Sequence, residues 1–152
     1  MSEHYTQLLR DTAVILGVDP EGLSRVEACT VDDMQINMLY RGERPDDTVA
    51  VFVLLAPPAP LIKERVLETM AKANALWCGT DGCTVGLQAE SGDIIIACEQ
   101  PLGWLTTQRF LAMMKRVSIT AALWQSVIGG AQPLEAIATD AVESRFRPDL
   151  MA

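Results

Sequence analysis

Two cysteines are the side chains best placed to do chemistry in this sequence. Cys78 and Cys83 flank a Gly-Asp-Gly turn in "ANALWCGTDGCTVGL", Ala73–Leu87. Zinc takes three or four Cys or His ligands, with the members of a pair two to four residues apart. A gap of four makes this a loose pair. Cys29 and Cys98 stand singly in strand-like stretches, and the only histidine is His4, near the N-terminus. A zinc site would need both strand cysteines to converge on the loop. A redox dithiol usually reads C-x-x-C at a helix N-terminus, where the dipole lowers the thiol pKa. Cys78 instead follows a helical pattern, at the end where the dipole opposes a thiolate. The alternative is four reduced, partly buried cysteines acting as small hydrophobes. A Cys-based metal or redox protein stays open beside it.

Other constellations are thinner still. With His4 alone, a Ser-His-Asp or Cys-His site would have to use the chain end. "GTDG" and "VIGG" lack the G-x-x-x-x-G-K-[ST] and G-x-G-x-x-G spacings of phosphate loops. Asp32-Asp33 and Asp46-Asp47 lie in turn sequences, where carboxylates are usually solvated rather than cation ligands. Met113-Met114 falls on an apolar helical stripe, which is commonly core. No catalytic residue, metal or cofactor is assigned.

Composition limits the classes further. The chain has 152 residues, enough for one domain with a sizeable core, and is 49% hydrophobic with 21% charged residues. Its net charge of −8 disfavours nucleic acid, because it repels phosphates. The longest apolar run is Val49–Ala56, far short of the roughly 20 residues of a membrane helix. "MSEHYTQLLRD" is polar and amphipathic rather than a basic segment followed by an apolar one. A cytoplasmic protein is the expectation.

The elements that would position these residues follow from periodicity. Glu3–Gly17 places Tyr5, Leu8, Leu9, Thr12, Ile15 and Leu16 on one helical side, and Gly17 stops it. "VDPEG" reads as a turn. "ACTVDD" reads as a short strand. Met34–Arg41 alternates as a strand with one buried face. Thr48–Ala56 is a strand apolar on both faces, each of which needs cover. A helix follows "APPAP", from Leu61 to about Trp77, with Ile62, Val66, Met70, Ala73 and Trp77 in one stripe and Leu67, Ala71 and Asn74 beside it. Cys83–Gln88 and Asp93–Glu99 form a hairpin across "ESGD". The longest helix runs from about Leu105 to Ile128, and Gly129-Gly130 ends it. The order α-β-β-β-α-β-β-α, with short turns between strands, predicts an α+β fold with a five-stranded antiparallel sheet and three helices. The domain spans 1–130, and a tail over 131–152 carries apolar residues at helical spacing. The doubly apolar strand and the two-striped helix exceed what one small domain readily buries, which points to a homodimer or a hydrophobic partner.

In order of elements, size and acidity the chain resembles the class I type III secretion chaperones, the CesT-like family. The resemblance covers residues 3–130. It is carried by "VLETMAKANALWCGTDGCTVGLQAESGDIIIAC", with Leu67, Ala73 and Asn74 in the family's "L…AN" positions, and by "FLAMMKRVSITAALWQSVIGG", with Ala121 and Trp124. The resemblance implies a bacterial cytoplasmic homodimer that works without ATP, catalysis or cofactor. It implies binding of the N-terminal segment of a secreted effector in extended form, through apolar grooves and strand addition to a sheet edge. It places the dimer seam on the second helix, at Val66, Leu67, Met70, Ala71, Asn74 and Trp77. It places the groove at Leu39, Phe52, Val53 and Leu54. It implies neither nucleic acid nor membrane insertion. A same-fold regulator of another secretion or transcription component is the alternative partner class.

Overall fold

Met34–Arg41, which alternates with period two, becomes a strand, and the 3.6-period stripes that open at Glu3, follow "APPAP" and run to Ile128 become helices. The computed structural model describes residues 2–42, 47–77, 79–134 and 137. The elements are α1 Glu3–Leu16, α2 Pro20–Val26, β1 Ala28–Val31, β2 Met34–Arg41 and β3 Thr48–Leu55. Then come α3 Lys63–Asn74, β4 Thr84–Leu87, β5 Ile94–Pro101 and α4 Thr107–Ile128, with 3-10 turns at Ala75–Trp77 and Leu102–Trp104. The five strands form one antiparallel sheet in the order β1-β2-β3-β5-β4, as the strand pattern predicts. Cys29 stands opposite Ile36, and Met38 opposite Val51.

The helix count differs from the three expected. "VDPEG" does not merely turn: it opens α2. The Asp19 carboxylate accepts the N–H of Glu21 at 3.3 Å and of Gly22 at 2.8 Å. Pro20 fills the first helical position, where a missing N–H costs nothing. The helix is only seven residues long, too short for periodicity to reveal. α1 ends as expected at Gly17, in the left-handed conformation (φ 68°). α3 is shorter than its stripe suggested. Its last turn tightens at Ala75, and Leu76 and Trp77 take left-handed backbones, φ 54° and 55°, which bulky residues rarely adopt.

Packing divides the chain into two units, Met1–Val53 with Ala97–Ile119, and Leu54–Ile96 with Thr120–Ala152. In the first, Tyr5, Leu8, Leu9 and Ala13 of α1 are buried, as are Ile36, Met38, Val49 and Val51 of the sheet and Phe110, Met114 and Val117 of α4. The Tyr5 and Tyr40 rings stack with centroids 5.1 Å apart. Burial, and then the Glu27 carboxylate, push the Tyr5 phenol far above its ordinary pKa. The Ser118 hydroxyl of α4 donates to the Val31 carbonyl at 3.0 Å.

In the second unit, Val66, Met70 and Ala73 of α3 are buried, with Val85, Ile94, Ile96, Ala121, Trp124 and Ile137. Buried packing therefore continues past residue 130 to Ile137. The rest of the expected tail helix, residues 135–136 and 138–152, lies outside the described residues.

Candidate functional site

Partner residues in an antiparallel pair share a sheet face. Asn37 faces Phe52, and Leu39 faces Ala50. These four side chains therefore occupy one face, and Leu54 continues it along β3. Met38 faces Val51 and Tyr40 faces Val49 on the other. That second face is core: Val49, Val51, Val53 and Leu55 are all buried. Of the four groove residues expected, Leu39, Phe52 and Leu54 lie together on the outer face. Val53 points the opposite way and is 2% exposed.

Leu39 and Leu54 remain 40% and 41% exposed, and Phe52 is half-buried. A polar rim bounds one end of this apolar strip. There the Thr48 hydroxyl donates to the Glu99 carboxylate at 2.6 Å, and Arg41 stands 3.5 Å from the same carboxylate. Such a half-exposed pair is worth under about 1 kcal/mol; it marks where apolar surface stops.

β1 closes the sheet order on its side, and among the described residues no strand lies beyond it. Its outer edge therefore offers backbone N–H and C=O groups for pairing. Beside it runs an apolar groove of about 360 Å³, lined by Val18, Leu23 and Val26 from α2 and its approach, and by Ala28, Cys29 and Thr30 from β1. The sequence reading missed this groove because it missed α2. The signal was present: a capping Asp19, Pro20, an acidic Glu21, then Leu23 and Val26. Burial pushes the Cys29 thiol up from its ordinary pKa.

α3 divides the six seam residues. Val66 and Met70 are 0% and 5% exposed and belong to the chain's own core. Leu67, Ala71 and Trp77 are exposed, and Leu76 and Leu87 add apolar surface in the same unit. Asn74 is half-buried and bonded within the chain. Its amide donates to the Val85 carbonyl at 2.7 Å, and its oxygen accepts the Val85 N–H at 3.0 Å. The side chain imitates a neighbouring strand and ties the end of α3 to β4.

The loop that opened the question of chemistry is a close-packed reversal. A Cβ at Gly79 would come within 2.8 Å of both the Ala73 and Ile137 side chains. Trp124 Nε1 donates to the Gly79 carbonyl at 3.4 Å. Gly82 supplies the positive φ, 83°. Cys83 is fully buried, its sulfur 3.9 Å from the Thr120 hydroxyl. Cys78 lies outside the described residues. Among the described residues, no group of three or more His, Cys, Asp or Glu side chains could hold a metal ion. No helix among them is long and apolar enough to cross a membrane.

Comparison with known proteins bears on this arrangement. The profile of the Tir chaperone protein (CesT) family matches residues 7–125. Among curated proteins no sequence matches the chain. Several solved structures share the fold, among them the following. A chain of the ExsC–ExsE complex superposes with a TM-score of 0.68 at 17% identity, over 84% of this chain and 96% of that one. A chain of the HopA1–SchA chaperone–effector complex gives 0.60 at 17% identity, over 81% and 94%. A chain of the ExoT–SpcS complex from Pseudomonas aeruginosa gives 0.59 at 16% identity, over 80% and 97%.

Proposed function

The chain belongs to the Tir chaperone protein (CesT) family, and on that premise we propose that it is a non-enzymatic, ATP-independent chaperone of bacterial type III secretion. Its cargo is the N-terminal segment of an effector, held extended and competent for export. The observation that carries this reading is the outer strip of Leu39, Ala50, Phe52 and Leu54, an apolar strand face left partly in water. An extended segment suits such a surface. Its backbone pairs with the β1 edge, and alternate side chains enter the groove beside α2 or cover the strip. Ordering the segment lowers the net affinity per unit of area buried, so several apolar anchors are needed. One similar structure is itself a chaperone–effector complex.

The same reading makes the protein a homodimer. The seam uses the outward residues Leu67 and Ala71 of α3, with Leu76 and Trp77 of the 3-10 turn that follows it. Val66 and Met70 support it from within, and Asn74 fixes the end of the helix. The acidic surface keeps such a dimer soluble.

The test is co-expression with the secreted protein encoded beside this gene, followed by limited proteolysis in nucleotide-free buffer. The expected result is a complex in which only the cargo's N-terminal segment is protected. Leu39→Asp should abolish the complex while far-UV circular dichroism stays unchanged. Undiminished binding by that variant would remove the outer strip from the cargo path.

A further inference from the structure

From Gln100 to Leu134 the chain has no aspartate or glutamate, yet it holds Arg109, Lys115 and Arg116. This stretch stands apart in a protein of net charge −8. Arg109 and Arg116 are seven residues apart on α4, so they lie on one face about 10 Å apart along its axis. Ala112 stands between them, and its small side chain leaves the floor open. The result is a hollow of about 410 Å³, walled by Trp104, Arg109, Ala112 and Arg116 and, from β5, by Cys98 and Gln100.

The hollow is held in shape. Arg109 Nη1 donates to the Trp104 carbonyl at 3.0 Å, which fixes the guanidinium against the 3-10 turn. The Arg109 N–H donates to the Thr106 hydroxyl at 3.3 Å, capping α4. The Leu102 N–H donates to the Asp47 carbonyl at 2.7 Å, anchoring the turn from its other side. The Trp104 side chain nevertheless stays 67% exposed. A rigid, amphipathic ring presented to water beside a guanidinium has the composition of an interface anchor.

Cys98 and Gln100 alternate along β5 with Glu99, and Glu99 bonds Thr48 on the outer strip. The hollow therefore opens on the opposite side of the sheet from that strip. We propose that it docks an acidic, extended segment of a second protein partner. One carboxylate meets each arginine, and an apolar or aromatic side chain lies on Trp104. Arginine suits this because its planar fork matches a carboxylate with two parallel hydrogen bonds. Nucleic acid suits it poorly, since a polyphosphate would run off three cations onto an acidic surface. The docking stands whatever the cargo is; only simultaneous occupancy with cargo rests on the function proposed above.

The test is fluorescence anisotropy on the full chain with a labelled short peptide of glutamates around one tryptophan, its glutamine counterpart, and a single-stranded oligothymidylate as competitor. The glutamate peptide should bind, more weakly as salt rises. Replacing its glutamates by glutamine, or making Arg109→Glu with Arg116→Glu, should each weaken it by at least about tenfold. Ala112→Leu, which fills the floor and keeps every charge, should weaken it similarly and guards against a folding defect in the charge-reversed pair. Lys115→Glu, off that face, should change it by less than about threefold. Equal loss from Lys115→Glu would mean general charge attraction and overturn the site. So would equal binding of the glutamine peptide, no effect of Ala112→Leu, or preferential displacement by the oligothymidylate. Peptide binding that persists on cargo-loaded protein supports a second partner. Displacement by cargo would place the hollow on the cargo path and end the second-partner proposal without touching the chaperone reading.

Discussion

The helices α3 and α4 read alike in sequence, two apolar rows on each, yet they meet water differently. α4 buries Phe110, Met113, Met114, Val117, Ala121, Trp124 and Val127. Its exposed side is mixed, with Arg109, Lys115 and Arg116 beside Ala112, Ala122 and Ile119, the last 58% exposed. α3 buries only Val66, Met70 and Ala73; it leaves Leu67 in solvent, and the 3-10 turn that follows it leaves Leu76 and Trp77 there too. Two tryptophans summarise the contrast: Trp124 is 0% exposed and Trp77 53%. A helix that buries most of its apolar residues in its own chain is a core element. A helix that keeps one row outside implies a partner, because apolar surface left in water forfeits roughly 25 cal/mol for each Å².

The sharpest way to break this contrast is within α3 itself. Met70→Asp places an unpaired carboxylate in the core and should cost at least about 4 kcal/mol, leaving little folded protein. Leu67→Asp, three residues away, should leave the protomer within about 0.5 kcal/mol of its original stability and convert dimer to monomer. Urea denaturation and light scattering after size exclusion read the two effects. If Leu67→Asp remained a well-folded dimer, the outer row of α3 would not be the seam.

The tryptophans give the next largest difference. Trp124→Ala should lose about 3–5 kcal/mol by chemical denaturation, since it leaves a large cavity and an unpaired Gly79 carbonyl. Trp77→Ala should leave protomer stability nearly untouched and weaken self-association measured by sedimentation equilibrium. Equal losses of stability would erase the contrast.

The smallest effect concerns the junction that holds α3 in place. Asn74→Ala removes both hydrogen bonds to Val85 and should cost about 1–2 kcal/mol. Faster amide exchange confined to β4 is the accompanying signature. A variant with unchanged exchange at Val85 would mean that β4 is held by its strand partner alone.

Much of this was legible from residue order. The alternation Met34, Ile36, Met38, Tyr40 sets one face of β2, because successive side chains in a strand point to opposite sides. Gly17 marks the end of α1, since only glycine takes the left-handed cap without penalty. The "AN" at Ala73-Asn74 and the spacing around Trp124 carried the family resemblance, which the match over residues 7–125 establishes. Those signals are local, and local geometry sufficed.

Other features required the chain to be folded. α2 exists because the Asp19 side chain reaches back to two N–H groups, and seven residues are too few for a period to appear. Val53 and Leu54 are equally apolar neighbours, and only the register with β2 sends Val53 inward and leaves Leu54 outside. Val66 and Leu67 part in the same way on α3. Asn74 stands in an apolar stripe by sequence, and only the fold brings its amide to both backbone groups of Val85. Arg109, Trp104 and Arg116 form a wall only once the turn before α4 is anchored to Asp47. Residue order sets which side chains can be buried; burial itself is settled by what lies across the gap, and that is a property of the whole fold.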